Sequence, residues 1–210
     1  MCIRDRDKDE IFRIGVATSK NPAGPFKARS KPMKGSYSID PTTFVDDDGS
    51  AYMYFGGIWG GQLQQWESGE FDPQGSLTDL GVASNPAIMP RMAKLKDNML
   101  EFDEEVKHIQ ILNQSGKPIL TKELEIRFFE APWIHKIGDV YYLSYSTGDT
   151  HNLAYATGDN PYGPFTYQGI LGEPVQGWTN HHSTIKINDQ WYLFYHDTEI
   201  SGKTHLRLSL

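Results

Sequence analysis

Cysteine is almost missing from this chain of 210 residues, in which Cys2 is the single example. One thiol excludes an intramolecular disulfide framework. Long apolar runs are also missing, so the sequence predicts no membrane span. Positive charge is in deficit, because 20 Lys and Arg stand against 27 Asp and Glu, giving a net charge of −7. Nucleic acid and anionic membrane surfaces are therefore not expected partners, and the composition carries no information on oligomeric state.

The two ends of the sequence are unusual. Residues 1–10 are highly charged and lack the apolar core of a signal peptide, and they run directly into a predicted strand at residues 11–19. Residues 204–210 also read as part of a strand. We therefore expect a fragment whose lead, residues 1–10, is non-native or disordered; the alternative is a complete small domain with ragged ends. A cytoplasmic and a secreted location are both compatible with this sequence.

Turn formers and aromatic residues are abundant. The chain has 20 Gly, 12 Pro and 12% aromatic residues, and its length is sufficient to bury a sizeable core. Glycine and proline spread along the whole sequence are typical of many short strands joined by turns. The composition predicts an all-β chain.

One hairpin pattern occurs three times. Each copy has a short strand, a turn rich in Asp, Gly or Asn, and an aromatic strand; the copies span residues 39–55, 128–146 and 181–196. When the copies are superposed, Asp40, Glu130 and His181 occupy the same position. Repeats of one four-stranded unit are typical of a β-propeller, in which equivalent inner strands line a central channel. The pattern therefore predicts that two carboxylates and a histidine face one pocket.

A second repeat supports this architecture. Residues 17–26 match residues 156–165, and both read as a strand, an Asn-Pro turn and a Gly-Pro-Phe re-entry. We expect each to connect the third and outermost strands of a blade. The order is then the end of one blade followed by blades that open at Asp40, Glu130 and His181.

The interval between Asp40 and Glu130 is longer than the next one. The extra length lies in residues 86–127, for which we predict a short helix near 90–98 and a hairpin around 113–116. This insertion either lines the mouth of the pocket or is a surface loop. Upstream of it, glycines 56, 57, 60 and 61 allow close backbone approach, and Trp59 either stacks on a sugar or packs in the core.

Glu130 has the surroundings of a general acid. It lies beside two Phe and ahead of Pro132 and Trp133, so the carboxylate is expected to be poorly solvated and to hold its proton tightly. The alternative is an ordinary acid at a strand end, exposed or paired. The turn at residues 46–49 is interpreted as a solvated hairpin turn, since it lacks most of the ligands of a calcium loop.

The segments Ser38-Ile39-Asp40-Pro41, Phe129-Glu130-Ala131-Pro132-Trp133 and Asn180-His181-His182-Ser183, each with its aromatic hairpin, resemble glycoside hydrolase family 43. The resemblance runs from about residue 11 to 207. It implies a five-bladed β-propeller acting on xylan and arabinan side chains or oligomers. About three and a half blades would be present here, as one partial glycosidase domain over residues 1–210.

The resemblance also implies residue roles. Glu130 becomes the general acid, and Asp40 becomes the carboxylate that tunes its pKa and orients it. His181 matches an axial histidine that in many members lies near a bound calcium ion, often through water. The predicted substrate contacts are Phe129, Trp133, Trp178, His182 and Arg207.

One family element has no counterpart in this chain. The general base is an aspartate that opens the first blade, well before the Asp40 blade. Asp5, Asp7 and Asp9 lack a surrounding strand and hairpin, so we do not assign them this role. The fragment itself is therefore expected to be inactive, to expose blade faces and to self-associate, whereas the intact protein is an enzyme.

The expected chemistry needs no cofactor, and a structural Ca²⁺ is the only ion implied. A zinc site is not expected, because successive strand residues such as His181 and His182 point to opposite faces. Three functions remain open: an inverting β-xylosidase or α-L-arabinofuranosidase, a sugar-active propeller of another chemistry such as fructan hydrolysis or phosphorolysis of mannosides, and a non-catalytic carbohydrate-binding propeller.

Overall fold

Short strands make up nearly all of the regular structure. The computed structural model describes residues 5–75, 84–148, 150–177, 180–198 and 208–209. Within them, the helices are two short 3-10 segments, Trp59–Gly61 and Leu63–Trp66. The strands are β1 (Asp5–Arg6), β2 (Phe12–Arg13), β3 (Ala17–Thr18), β4 (Lys27–Ala28), β5 (Thr42–Val45), β6 (Ala51–Phe55), β7 (Arg91–Lys94), β8 (Lys107–His108), β9 (Ile111–Leu112), β10 (Phe128–Ile137), β11 (Val140–Thr147), β12 (Leu153–Gly158), β13 (Phe165–Gly172), β14 (His182–Ile187), β15 (Gln190–Asp197) and β16 (Leu208–Ser209).

The strands form successive blades. One sheet has the order β5-β6-β7-β8, the next β10-β11-β12-β13 with β9 added in parallel, and the third β14-β15-β16. The pair β3-β4 precedes them as the outer part of another blade, and β1 pairs with β2. The all-β propeller prediction, with about three and a half blades, is confirmed.

The three predicted hairpins are present. Strand β5 pairs with β6 from Val45↔Ala51, β10 with β11 from Ile137↔Val140, and β14 with β15 from Ile187↔Gln190. Their turns use residues that tolerate a positive φ: Gly49 and Gly138 in the first two, and Asn188 with Asp189 in the third. The turn residues read from the sequence therefore set the register of each pair.

The second repeat also has one structure in both copies. Asn21 Oδ1 accepts from the amide of Ala23, and Asn160 Oδ1 accepts from the amide of Tyr162. The Asn-Pro phrase thus closes an Asx turn in each copy. The turns connect β3 to β4 and β12 to β13, the outer strands of their blades, as predicted.

The predicted helix near residues 90–98 is wrong. Arg91–Lys94 is strand β7, paired with β6, and the pairing buries Met92 and Ala93. Long-range pairing with β6 outweighs the local preference of these residues for a helix. The predicted hairpin at 113–116 is confirmed, with Asn113 Oδ1 accepting from the amides of Ser115 and Lys117.

Residues 86–127 are therefore not a simple insertion. They supply β7 and β8, the third and fourth strands of the Asp40 blade, and β9, which extends the Glu130 blade. Part of the extra length instead lies between β6 and β7, where the two 3-10 segments occur.

The charged lead makes local contacts where it is described. Asp5–Arg6 pairs with Phe12–Arg13. Asp7 Oδ1 accepts from the amides of Asp9 and Ile11, and Asp7 Oδ2 lies 3.2 Å from Arg13 Nε. Asp7 therefore closes a turn that the charge pattern did not reveal, and the non-native or disordered lead stays a prediction.

The core lies between the blades. Most of its completely buried large apolar side chains come from the β5–β8 and β10–β13 sheets and the segment after β6: Tyr54, Phe55, Ile58, Leu63, Met92, Leu143, Tyr145, Leu153 and Phe165. In contrast, most of the β14–β15 hairpin is exposed. Among the described residues, no helix has the length and apolarity needed to cross a membrane.

Candidate active site

A glycine segment after β6 joins the two predicted catalytic carboxylates. Gly56 N donates to the Ile39 carbonyl at 2.8 Å, and Ile58 N donates to the Phe129 carbonyl at 3.0 Å. Gly57 forms an isolated β-bridge with Glu130. Asp40 and Glu130 each directly follow one of these anchored carbonyls. The backbone thus holds the two acids on either side of a single tripeptide.

This arrangement requires glycine at position 57. A Cβ added there would lie 2.8 Å from the Ile39 side chain and 3.2 Å from Glu130 Cβ. Neither separation is compatible with an unshifted side chain, so the absence of a side chain is what lets the strands approach. The sequence-based expectation of close backbone approach is confirmed at this residue.

His181 lies beside Asp40. Its Nδ1 lies 3.8 Å from Asp40 Oδ1, and the side chain of His181 is 42% exposed while that of Asp40 is 9% exposed. The residue lies just before β14, as Asp40 lies just before β5. The structure therefore brings the histidine to Asp40, whereas Glu130 contacts Gly57 through a backbone bridge.

Backbone strain concentrates around these residues. Ser38, Asp40, Trp59, Ala131 and His151 all have φ between 52° and 61°. Such left-handed conformations cost non-glycine residues about 1–3 kcal/mol each. Strain of this kind persists only where the surrounding structure over-determines it, and it is typical of functional sites.

His182 does not lie at an open surface. It is 3% exposed, and its Nε2 lies 2.6 Å from Ser144 Oγ on β11. Burial, reinforced by the charges of His181 and His135, lowers the pKa of His182 to about 3, so the ring is neutral. The prediction of a direct substrate contact is corrected for His182, whose side chain is packed between two blades.

Trp133 lies in the same gap between blades. Its indole Nε1 donates to Thr184 Oγ1 at 2.9 Å, and Thr184 Oγ1 lies 3.0 Å from His135 Nδ1. Burial lowers the pKa of His135 to about 4. Trp133 is partly buried, and its role as a wall of the sugar pocket stays a prediction.

Phe129 belongs to the core. It is 2% exposed, and its ring meets Trp59 and His151 edge-on at centroid distances of 5.3 and 5.2 Å. A ring packed in this way has no free face for a sugar, so the predicted stacking role is corrected. Trp59 is itself partly buried against the core, which favours the packing alternative for that residue.

The turn at residues 46–49 is not simply solvated. Asp46 accepts from Lys136 Nζ at 2.9 Å and from the Tyr141 hydroxyl at 2.5 Å, and Lys136 also reaches Asp47 at 2.8 Å. Burial opposes the charge on Asp46, but the hydrogen bonds from Tyr141 and Lys136 outweigh it and lower the pKa. The interpretation as a free turn is wrong for Asp46, which clamps the Asp40 hairpin to the Glu130 hairpin.

The sequence offered one overlooked signal for the contacts between blades. Ser144 and Ser146 interrupt an otherwise aromatic strand and are fully buried on β11. Small hydroxyl residues inside an apolar strand indicate hydrogen-bond partners in a neighbouring element. The partner of Ser144 in the next blade is His182, 38 residues further along the chain.

Two predicted contacts, Trp178 and Arg207, lie outside the described residues. In the described part of the chain, no group of three His, Cys, Asp or Glu side chains is placed to hold a metal ion. Calcium takes six to eight oxygen ligands. Asp40 Oδ1 lies 3.8 Å from His181 Nδ1, and Asn180, the preceding residue in the chain, has a buried Oδ1 without a hydrogen-bond partner among the described residues. This donor set is compatible with calcium only if water supplies most of the ligands.

Comparisons with known proteins give one family. The model of glycosyl hydrolases family 43 matches residues 2–207. Xylosidase/arabinosidase 43A of Humicola insolens is 56% identical over 96% of this chain and 63% of its own length. A xylosidase/arabinosidase of Bacteroides ovatus is 53% identical over 96% of this chain and 62% of its own length. The chain thus spans less than two thirds of these relatives.

Solved structures that are similar to this chain also come from glycoside hydrolase family 43. A calcium-free β-xylosidase/α-arabinofuranosidase from a compost microbial metagenome, in complex with xylotriose, has a TM-score of 0.94 and 62% identity, over 97% of this chain and 62% of that one. An enzyme of Xanthomonas citri complexed with xylose has a TM-score of 0.92 and 50% identity, over 96% of this chain and 61% of that one.

Proposed function

The chain belongs to glycosyl hydrolases family 43, and from this premise we propose that the intact protein hydrolyses O-glycosidic bonds of pentose-containing plant oligosaccharides or polysaccharides. The observation that supports the proposal is that backbone contacts of residues 56–58 hold the segments carrying Asp40 and Glu130 together, while His181 Nδ1 lies 3.8 Å from Asp40 Oδ1. The names and sugar complexes of the similar proteins support a β-xylosidase or α-L-arabinofuranosidase.

Glu130 is the general acid in this proposal. It donates a proton to the leaving oxygen while the glycosidic bond breaks. When Asp40 is ionised, its negative charge disfavours a second one nearby and so favours protonated Glu130. The bridge between Gly57 and Glu130 fixes the strand that carries the acid.

The reaction proceeds with inversion. A second carboxylate activates water on the opposite face of the sugar, and that general base comes from outside these 210 residues. The proposal rests on the lack of a matching aspartate here and on the fraction of its relatives that the chain spans. Trp133, Trp178 and Arg207 are the proposed substrate contacts.

The test is the Glu130→Gln variant of the full-length protein. We expect kcat on aryl xylosides or arabinofuranosides to fall by about 10²–10⁴-fold, because the glutamine cannot protonate the leaving group. Glu173→Gln is the matched control, since Glu173 is an exposed acid beyond the end of β13 in the same blade. Unchanged kcat in Glu130→Gln would remove this residue from the acid role.

A non-catalytic sugar-binding propeller is the second candidate, and the missing base favours it for the 210-residue chain. Calorimetry with xylotriose separates the two functions. Binding without turnover by the full-length protein supports a binding module, whereas turnover with inverted product stereochemistry supports the hydrolase. A parallel assay with fructan distinguishes another sugar specificity.

We also propose a structural Ca²⁺ near His181, held largely through water, with Asp40 and Asn180 as candidate oxygen donors. Calcium has no chemical step in the mechanism. Addition of CaCl₂ after EDTA treatment is expected to raise the melting temperature of the full-length protein, and His181→Ala is expected to reduce that shift. An equal shift in both proteins would place the ion elsewhere.

A further inference from the structure

The gap between the Glu130 and His181 blades contains a chain of polar contacts, which we call the blade seam: Trp133, His135, Ser144, His182 and Thr184. The seam has two groups of hydrogen bonds, which we call rungs. The His182 rung joins Ser144 to His182, and the Thr184 rung joins Trp133 and His135 to Thr184. Both rungs connect the β10–β11 hairpin to β14. The seam is therefore the polar attachment of β14 to its neighbouring blade.

The proton positions in the seam follow from the donors. The Ser144 hydroxyl donates to the Trp133 carbonyl at 3.5 Å, so its oxygen accepts from His182 Nε2–H at 2.6 Å. Indole nitrogen can only donate, so Thr184 accepts from Trp133 and gives its own proton to His135 Nδ1. Both imidazoles are thus neutral and carry their proton on Nε2.

The His182 rung is shorter and more deeply buried than the Thr184 rung. Ser144 is 0% exposed and His182 is 3% exposed. A buried hydrogen bond fixes direction more strictly than an exposed one, since losing it leaves an unsatisfied polar group. Ser144 therefore determines where the first residue of β14 lies.

His181 immediately precedes that anchored residue. Successive residues of an extended chain point to opposite sides, so an imidazole directed into the seam at position 182 sends the side chain of position 181 away from it. The side chain at position 181 lies 3.8 Å from Asp40. The backbone position of His182 and the approach of His181 to Asp40 are thus one geometric feature.

We propose that His182 and Ser144 are positioning residues for the proposed hydrolysis: their buried hydrogen bond anchors β14 on β11 and thereby holds the His181 imidazole beside the Asp40 carboxylate. The proposal rests on the proposed function for its kinetic consequence. It assigns different roles to two adjacent histidines, one directed to the carboxylate and one that fixes the strand.

A double-mutant cycle on the full-length protein tests the proposal. Ser144→Ala is expected to lower kcat on an aryl pentoside by roughly 10-fold with KM nearly unchanged, because a misplaced group loses transition-state stabilisation. In a His181→Ala background the same substitution should change kcat by less than about two-fold, since there is no imidazole left to position. A purely structural role would lower kcat equally in both backgrounds, and that result overturns the proposal.

Ser183→Ala is the matched control. Ser183 neighbours His182 on β14, and no seam contact involves it. This variant should keep kcat within about two-fold of the parent. If Ser144→Ala does not fold, Ser144→Cys keeps a side chain of similar size with a weaker hydrogen-bond acceptor for His182 and should change kcat in the same direction.

A spectroscopic readout separates failure of this inference from failure of the proposed function. In histidine ring NMR spectra, Ser144→Ala should shift the His181 Cε1–H resonance, whereas Ser183→Ala should not. The His182 ¹⁵N shifts should show a protonated Nε2. A protein without pentosidase activity that shows these shifts disproves the function but keeps the anchoring, and an unmoved His181 resonance disproves the anchoring whatever the activity.

Discussion

The β10–β11 and β14–β15 hairpins share one sequence pattern but differ in their surroundings. Tyr141, Leu143 and Tyr145 of the first correspond to Trp191, Leu193 and Tyr195 of the second. Leu143 is fully buried, whereas Leu193 is 38% exposed, and the flanking aromatic residues differ in the same way. The pairing register is continuous in both turns. Local pattern thus produces the hairpin, and neighbouring blades decide how much of it is buried.

The two hairpins also differ in the partners of their equivalent lysines. Lys136 and Lys186 occupy equivalent positions before the two turns. Lys136 crosses to Asp46 and Asp47 of the preceding blade, whereas Lys186 pairs with Asp189 in its own turn. An ion pair within one exposed turn contributes little to stability. A residue type at a repeated position therefore takes its role from what the next blade presents to it.

The largest expected difference between the hairpins is in apolar truncation. Leu143→Ala should lower the free energy of unfolding of the 210-residue chain by about 2–5 kcal/mol, since it opens a cavity in a filled core. Leu193→Ala should change it by no more than about 0.5 kcal/mol, because the side chain already meets solvent. Urea unfolding of both variants measures the contrast, and equal losses would mean that the β14–β15 face is covered in solution.

The next effect is the pH dependence of the seam. His135 occupies the position of Ile185 in the other hairpin, and its pKa is lowered by burial to about 4 from the usual 6.5. The unfolded chain therefore binds a proton that the folded chain refuses, so stability falls as pH drops from about 6.5 to 4. His135→Gln should reduce the number of protons taken up on unfolding by about one in this window. The melting temperature should therefore depend less on pH. His182 titrates in the same direction and keeps the remaining slope.

If the melting temperature of His135→Gln depends on pH as that of the parent does, His135 is hydrated in the folded protein. Thr184→Val removes the hydroxyl that hydrogen-bonds to His135 Nδ1 and leaves the His135 imidazole in place. It should therefore lower stability at neutral pH while leaving the pH window in place.

The smallest expected effect is a change in melting temperature, and it concerns the contacts of Lys136 and Lys186. Asp46→Asn should lower the melting temperature by roughly 2–4 °C, because a charged acceptor of two hydrogen bonds is lost between blades. The stabilisation belongs to the ionised carboxylate, whose lowered pKa keeps it present above about pH 4 and removes it in more acidic solution. Lys186→Met should leave the melting temperature within about 1 °C. Thermal melts at pH 7 and pH 3 compare the two, and the difference should shrink at pH 3.

Sequence reasoning worked where a local rule sufficed. The turn residues predicted the three hairpins, and the Asn-Pro repeats predicted the outer strand connections. Both depend on neighbours within a few positions of the chain. It failed for Arg91–Lys94, which has the composition of a helix but is a strand because β6 offers it an open edge.

The candidate site also has parts that the sequence predicted and parts that it did not. The sequence pointed to Asp40, Glu130 and His181 through their repeated position, and the structure brings His181 to Asp40. It did not distinguish His181 from His182, because adjacent residues of a strand look alike in sequence and point to opposite sides. It also assigned Phe129 to the sugar, although its ring fills the core.

The sequence by itself determined the repeating hairpin, the turn chemistry and the residue that opens each inner strand, since all three are encoded within short segments. Only the tertiary structure decided which side chains are buried, which blade Asp46 and Ser144 contact, and why position 57 must be glycine. These properties depend on groups that lie far apart in the chain, as in the contacts Gly57–Ser38 and Tyr141–Asp46, which join residues separated by 19 and 95 positions. Short-range pattern carries no record of such distances, because the blades meet only after the chain has folded.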